Sequence, residues 1–110
     1  MKKSLNQWIR AVAGGDVAEV VALYGKQATL HPTLQGGVHR HQGMKTIKSY
    51  FDYFLAKPVT VTVIESIEGD HYSVGCYEVK RGDQLVKARF TFIYNEDGSI
   101  QHHHSSVIPE

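Results

Sequence analysis

The chain has 110 residues, with 12 basic side chains against 11 acidic ones, seven histidines and one cysteine. That length suits a single domain, residues 1–110, with a real core and little surplus for a second one. Near-neutral charge without a basic stripe argues against nucleic acid as a partner, and the lone Cys76 excludes an intramolecular disulfide and suits a reducing compartment. Lys2 and Lys3 imitate the charged start of a signal peptide, but Asn6, Gln7 and Arg10 interrupt the apolar segment that would follow. With no long apolar run, the expectation is a cytoplasmic protein with no membrane partner.

Ser4 and Gln7 have capping-box spacing, and Leu5, Trp8, Ile9 and Val12 recur at helical intervals, so a first amphipathic helix is predicted to end at Gly14-Gly15. Asp16 can cap a second helix in which Val17, Val20, Val21 and Tyr24 share a face, with Gly25 terminating it. A short apolar segment, Ala28 to Leu30, precedes a loop rich in Gly, His and Gln. A third helix is predicted from Gly43, with Met44, Ile47, Phe51, Phe54 and Leu55 on one side and Pro58 stopping it.

From Val59 the period changes to two. Four strands are predicted, Val59 to Glu68, Tyr72 to Lys80, Leu85 to Tyr94 and Ile100 to Val107, joined by Gly69-Asp70, Arg81-Gly82-Asp83 and Asn95-Glu96-Asp97-Gly98. Consecutive strands should pair antiparallel, and helices before a meander give an α+β order.

In the third of these strands Val86, Ala88, Phe90, Phe92 and Tyr94 share one face, while Leu85, Lys87, Arg89, Thr91 and Ile93 share the other. The aromatic face calls for burial. Arg89, mid-strand on the opposite face, is either a partly exposed arginine paired with a glutamate or an arginine on a cavity floor, where its fork would hold a small carboxylate or phosphate. Alternation also splits the terminal cluster, with His102, His104 and Ser106 on one face and His103 and Ser105 on the other. Three consecutive side chains of a strand do not converge on one metal. His102 and His104 with His31, His39 or His41 show no recognised zinc spacing, so neither a metal site nor any cofactor is expected. His103 and Ser105 sit side by side without an orienting carboxylate or oxyanion hole, which counts against a hydrolase triad.

Trp8, Gly15-Asp16, the helix bearing Gly43-Met44, Tyr50-Phe51 and Leu55, the strand Ala88 to Phe92, and the ending His102 to Ser106 with Pro109 resemble the nuclear-transport-factor-2-like superfamily. This is the cone-shaped fold, a curved, mostly antiparallel sheet wrapped around N-terminal helices, shared with ketosteroid isomerase and SnoaL-type cyclases. Within it the chain is most similar to the association (hub) domain of calcium/calmodulin-dependent protein kinase type II and its stand-alone bacterial relatives. The resemblance implies that Arg89 lines a pocket for small carboxylates. Ser105 stands where some kinase hubs have a further pocket arginine, and Ile47 where they have a helix histidine, so the strong cationic character is not reproduced. Tyr77 and His103 join Arg89 and Ser105 as the expected ligand-binding residues, with Tyr50 and Tyr53 as helix aromatics that either pack or reach the cavity.

Isomerase chemistry needs a carboxylate base. Of the five aspartates, Asp16, Asp70, Asp83 and Asp97 fall in turns or caps and Asp52 on an outward helix position, so no catalytic residue is assigned. The expected function is a non-catalytic oligomerising domain with a small-molecule cavity, its partners being its own copies and a small anion. The alternative is an isomerase, cyclase or hydrolase using His103, with Arg89 as electrostatic stabiliser. Because Leu85 and Ile93 put apolar surface on the face opposite the aromatics, and three helices cover only one face, at least a homodimer packed sheet to sheet is expected.

Overall fold

A computed structural model describes residues 3–32 and 40–108. Helix α1, Lys3–Gly14, closes on Gly15, whose φ of 76° lies in the left-handed region and whose N–H donates to the Ala11 carbonyl at 3.2 Å. Helix α2, Val17–Val21, is capped as predicted, the Asp16 carboxylate accepting the Glu19 N–H at 3.3 Å. It does not run on to Tyr24 and Gly25. The Ile100 N–H donates to the Leu23 carbonyl at 2.8 Å, and Tyr24 opens strand β1, Tyr24–His31, opposite Ile100. Tertiary pairing overrides the helical pattern there.

Strand β2, His41–Gln42, leads into α3, Met44–Phe54, and β3, Val59–Glu68, β4, Tyr72–Arg81, β5, Gln84–Tyr94, and β6, Ile100–Val107, follow close to the predicted bounds. They form one curved six-stranded sheet in the order β2-β1-β6-β5-β4-β3. Every neighbouring pair is antiparallel except β1 with β6, which run parallel. Irregular register at Val63/Glu65 and Ile93/Tyr94 bends the sheet. At the first of these β3 closes so tightly on β4 that a Cβ on Gly75 would overlap the Glu65 carbonyl.

The core lies between the three helices and one face of this sheet. Trp8 and Val12 of α1, Val20 of α2, and Ile47, Phe51 and Phe54 of α3 pack with Tyr77, Phe90, Phe92 and Ile100. The architecture is therefore α+β, as the order of periods implied. Among the described residues no helix is long and apolar enough to cross a membrane.

Candidate functional site

Residues opposite one another on paired strands point to the same side of a sheet. The register sets Phe92 beside His103 and Phe90 beside Ser105 on the inner face, and Arg89 beside Cys76 and Ser106 on the outer face. Arg89 is exposed, so it does not share a floor with His103 and Ser105. The reason is geometric: a single sheet covered by helices on one side has one inner face. Five side chains of the aromatic set (Val86, Ala88, Phe90, Phe92 and Tyr94) take it along β5. Replacing Arg89 with Met is accordingly expected to change the unfolding free energy by no more than about 0.5 kcal/mol, as read from a urea melt.

Tyr77, His103 and Ser105 are brought together. The Tyr77 ring lies over Phe90, centroids 4.7 Å apart, and its hydroxyl reaches across to bond Ser105 Oγ directly. His103 stacks on Phe92 at 4.0 Å with its Nε2 3.1 Å from Tyr77 Oη and 3.2 Å from Ser105 Oγ. Its Nδ1 is 2.9 Å from Tyr24 Oη, which itself accepts the Trp8 indole N–H at 3.0 Å. Tyr24, which accepts from Trp8, still has one proton to give, and the tautomer that uses it has Nδ1 as the acceptor. The neutral imidazole then carries its hydrogen on Nε2 and donates to the Tyr77–Ser105 hydroxyl pair. Burial first, and then His102 and His104, lower the His103 pKa to about 3, while burial pushes the Tyr24 phenol well above its usual value. No carboxylate is buried among the described residues to counter this.

Beside this network lies a cavity of about 10 Å³ lined by Trp8, Leu30, Tyr50, Phe54, Tyr77 and His103 among others. It has room for about one water molecule. Tyr50 reaches it, whereas Tyr53 is exposed. The cation on the inner side is Arg81, not Arg89. Its Nε donates to the Phe54 carbonyl at 2.9 Å, its Nη2 to the Tyr53 carbonyl at 3.0 Å, and its guanidinium lies 4.5 Å over the Tyr53 ring. These bonds satisfy carbonyls at the end of α3, so Arg81 is a structural clamp.

The remaining histidines divide by face. His31, His102 and His104 cluster on the outer face, with ring centroids 5.2, 5.6 and 6.3 Å apart, whereas His41 packs against Tyr50 at 5.1 Å. His39 lies outside the described residues. Among the described residues no three His, Cys, Asp or Glu side chains are arranged to hold a metal ion.

The outer face carries a second feature that the strand patterns only half revealed. Rows running across it read His102, Ile93, Tyr72 and then His104, Thr91, Val74, Ile67. Tyr72, Ile67 and Ile93 are 45%, 66% and 38% exposed. The next rows are polar: Ser106, Arg89, Cys76, Glu65, followed by Lys87 opposite Glu78.

No protein-family model and no curated protein matches the chain. Solved structures do. A protein from Xanthomonas campestris described as a calcium/calmodulin-dependent protein kinase II association domain superposes with a TM-score of 0.82 at 29% identity, over 96% of this chain and 84% of that one. SalBIII, an epoxide hydrolase/cyclase-like enzyme of pyran ring formation in salinomycin, superposes with a TM-score of 0.82 at 18% identity, over 97% and 89% of the two chains. RV0760c from Mycobacterium tuberculosis gives 0.83 at 18% identity over 93% and 89%.

Proposed function

Because the chain has the nuclear-transport-factor-2-like fold, which by itself leaves function open, we propose that it is a non-catalytic domain that associates with its own copies through the outer face of the sheet. The observation that carries this reading is the apolar band of Tyr72, Ile67 and Ile93, bordered by charges of both signs. The basic residues Lys87 and Arg89 lie on β5 and the acidic Glu65 and Glu78 on β3 and β4. A two-fold axis through the face would set the basic strand of one copy over the acidic strands of the other while the apolar bands meet. Likeness to the Xanthomonas campestris association domain supports the same partner.

Two features count against the alternative of isomerase, cyclase or hydrolase chemistry at His103. An imidazole whose pKa is about 3 is a poor base at neutral pH, and its Nδ1 lone pair is already taken by Tyr24. The small-carboxylate reading loses its cation, since no Arg or Lys lines the cavity among the described residues.

Light scattering at micromolar concentration should give at least twice the chain mass. Ile93→Glu and Tyr72→Glu should each reduce it to one chain without altering the far-ultraviolet circular dichroism. A monomeric parent protein would retire the proposal.

A further inference from the structure

We propose that the outer-face association is under the control of protons, the sensor being the cluster of His31, His102 and His104, and that mild acid separates the copies. The inference rests on the self-association reading above and names its regulation.

The cluster lies inside the band that would be covered. His102 stands beside Ile93 and His104 beside Thr91, and β1 adds His31 beside His104 from the parallel strand. Three imidazoles that meet within 5.2–6.3 Å, centroid to centroid, remain compatible with a covering partner only while they are neutral. In the described residues no carboxylate lies within ion-pair distance of any of them, and the bond between His104 Nε2 and Ser106 Oγ, 3.1 Å long, is neutral. The strands around them do not supply an excess of acid. On the same face β5 contributes Lys87 and Arg89, β4 contributes Glu78 and Lys80, and β3 contributes Glu65. Lys26 of β1 and Arg40 ahead of β2 are exposed cations, Gln42 of β2 is neutral, and Glu96 and Asp97 sit in the exposed turn between β5 and β6.

Protonation would therefore place unpaired positive charge in the apolar band, and a two-fold partner would bring its own cluster to the same contact. Association covers the cluster and so opposes its protonation, and the copies therefore hold each other less tightly as the solution is acidified. His102 already feels the effect within one copy: burial, then His31 and His104, lower its proton affinity. A two-fold contact seals the cluster of each copy, so every imidazole held neutral there weakens association in acid once per copy.

Sedimentation equilibrium of the full chain at pH 7.5 and pH 5.5, with near-ultraviolet circular dichroism confirming the fold at each, tests this. The dissociation constant of the parent should rise at least about tenfold at the lower pH, and that of the double variant His102→Gln/His104→Gln by under about threefold. Should the double variant not fold, the single His31→Gln change gives the same readout, a rise in the dissociation constant smaller than the parent's. A parent whose association is identical at both pH values overturns the proton control while leaving self-association standing. So does a folded variant as sensitive to acid as the parent. A parent that is monomeric already at pH 7.5 fails the self-association reading itself and takes the proton control with it.

Discussion

Lowering the pH from 7.5 to 4.5 should cost the fold roughly 2–3 kcal/mol through His103 alone. In the folded chain His103 takes no proton until about pH 3, because burial and then His102 and His104 oppose the charge. In the unfolded chain an imidazole takes one below about 6.5. Between those values the unfolded state binds more protons, so this contribution is fully present above about pH 6.5 and is lost as pH falls toward 3. A charged His103 would also have to reverse the bond at Nδ1, where Tyr24 donates, and leave the Tyr24 proton without an acceptor. Urea melts at fixed protein concentration across this range should show the parent losing stability steeply. His103→Gln, weaker at pH 7.5, should show a much flatter dependence. Both proteins keep the outer-face histidines, so the difference between their slopes isolates the buried one. Equal slopes would mean that His103 titrates near its ordinary value and is not sealed in the core.

The features that follow from short-range periodicity were legible in the sequence. Val59 to Glu68 and Ile100 to Val107 read as strands because alternation needs only neighbouring residues. The division of His102 and His104 from His103 follows from the same period of two. Tyr24 fits a helical face with Val17, Val20 and Val21, and only the partner strand 76 residues later settles its conformation. The parallel pairing of β1 with β6, which assembles Tyr24, Leu30 and His103, likewise leaves no local mark. The strand pattern alone leaves Arg89 either partly exposed or on a cavity floor, and the resemblance favours the floor, but Ala88 and Phe90 on either side of it are buried. Their burial sends the residue between them outward. Arg81 escaped notice in a turn-like Arg-Gly-Asp triplet, since its partners are carbonyls 27 and 28 residues earlier. The Trp8–Tyr24–His103–Tyr77–Ser105 chain left one usable trace, polar groups at positions where the pattern demands apolar ones. A polar side chain at a core position requires a partner, and five such positions in one small core predict a network even before their pairing is known.

Replacing Arg81 with Met should destabilise the domain by about 2 kcal/mol, where the same change at Arg89 in a single chain does almost nothing. Both side chains carry the same charge on adjacent strands, so the contrast rests on what each touches. Arg89 projects into solvent from the outer face, whereas Arg81 is 9% exposed and its guanidinium ends α3. Its Nε–H occupies the Phe54 carbonyl, its Nη2–H joins the Ala56 N–H on the Tyr53 carbonyl, and its flat face covers the Tyr53 ring. Methionine would fill much of the stem's volume but take the arginine donor from the Phe54 carbonyl and leave Tyr53 with Ala56 alone, and an acceptor left unbonded away from water costs about 1–3 kcal/mol. Lysine should recover only part of the loss, because one ammonium cannot bond two carbonyls in the geometry of the fork and stack on the ring as well. The order parent, Arg81→Lys, Arg81→Met in urea midpoint is therefore expected, with Arg89→Met indistinguishable from the parent when all carry Ile93→Glu and unfold as single chains. If Arg81→Met unfolds at the same midpoint as Arg89→Met, the end of α3 is held by something other than this arginine.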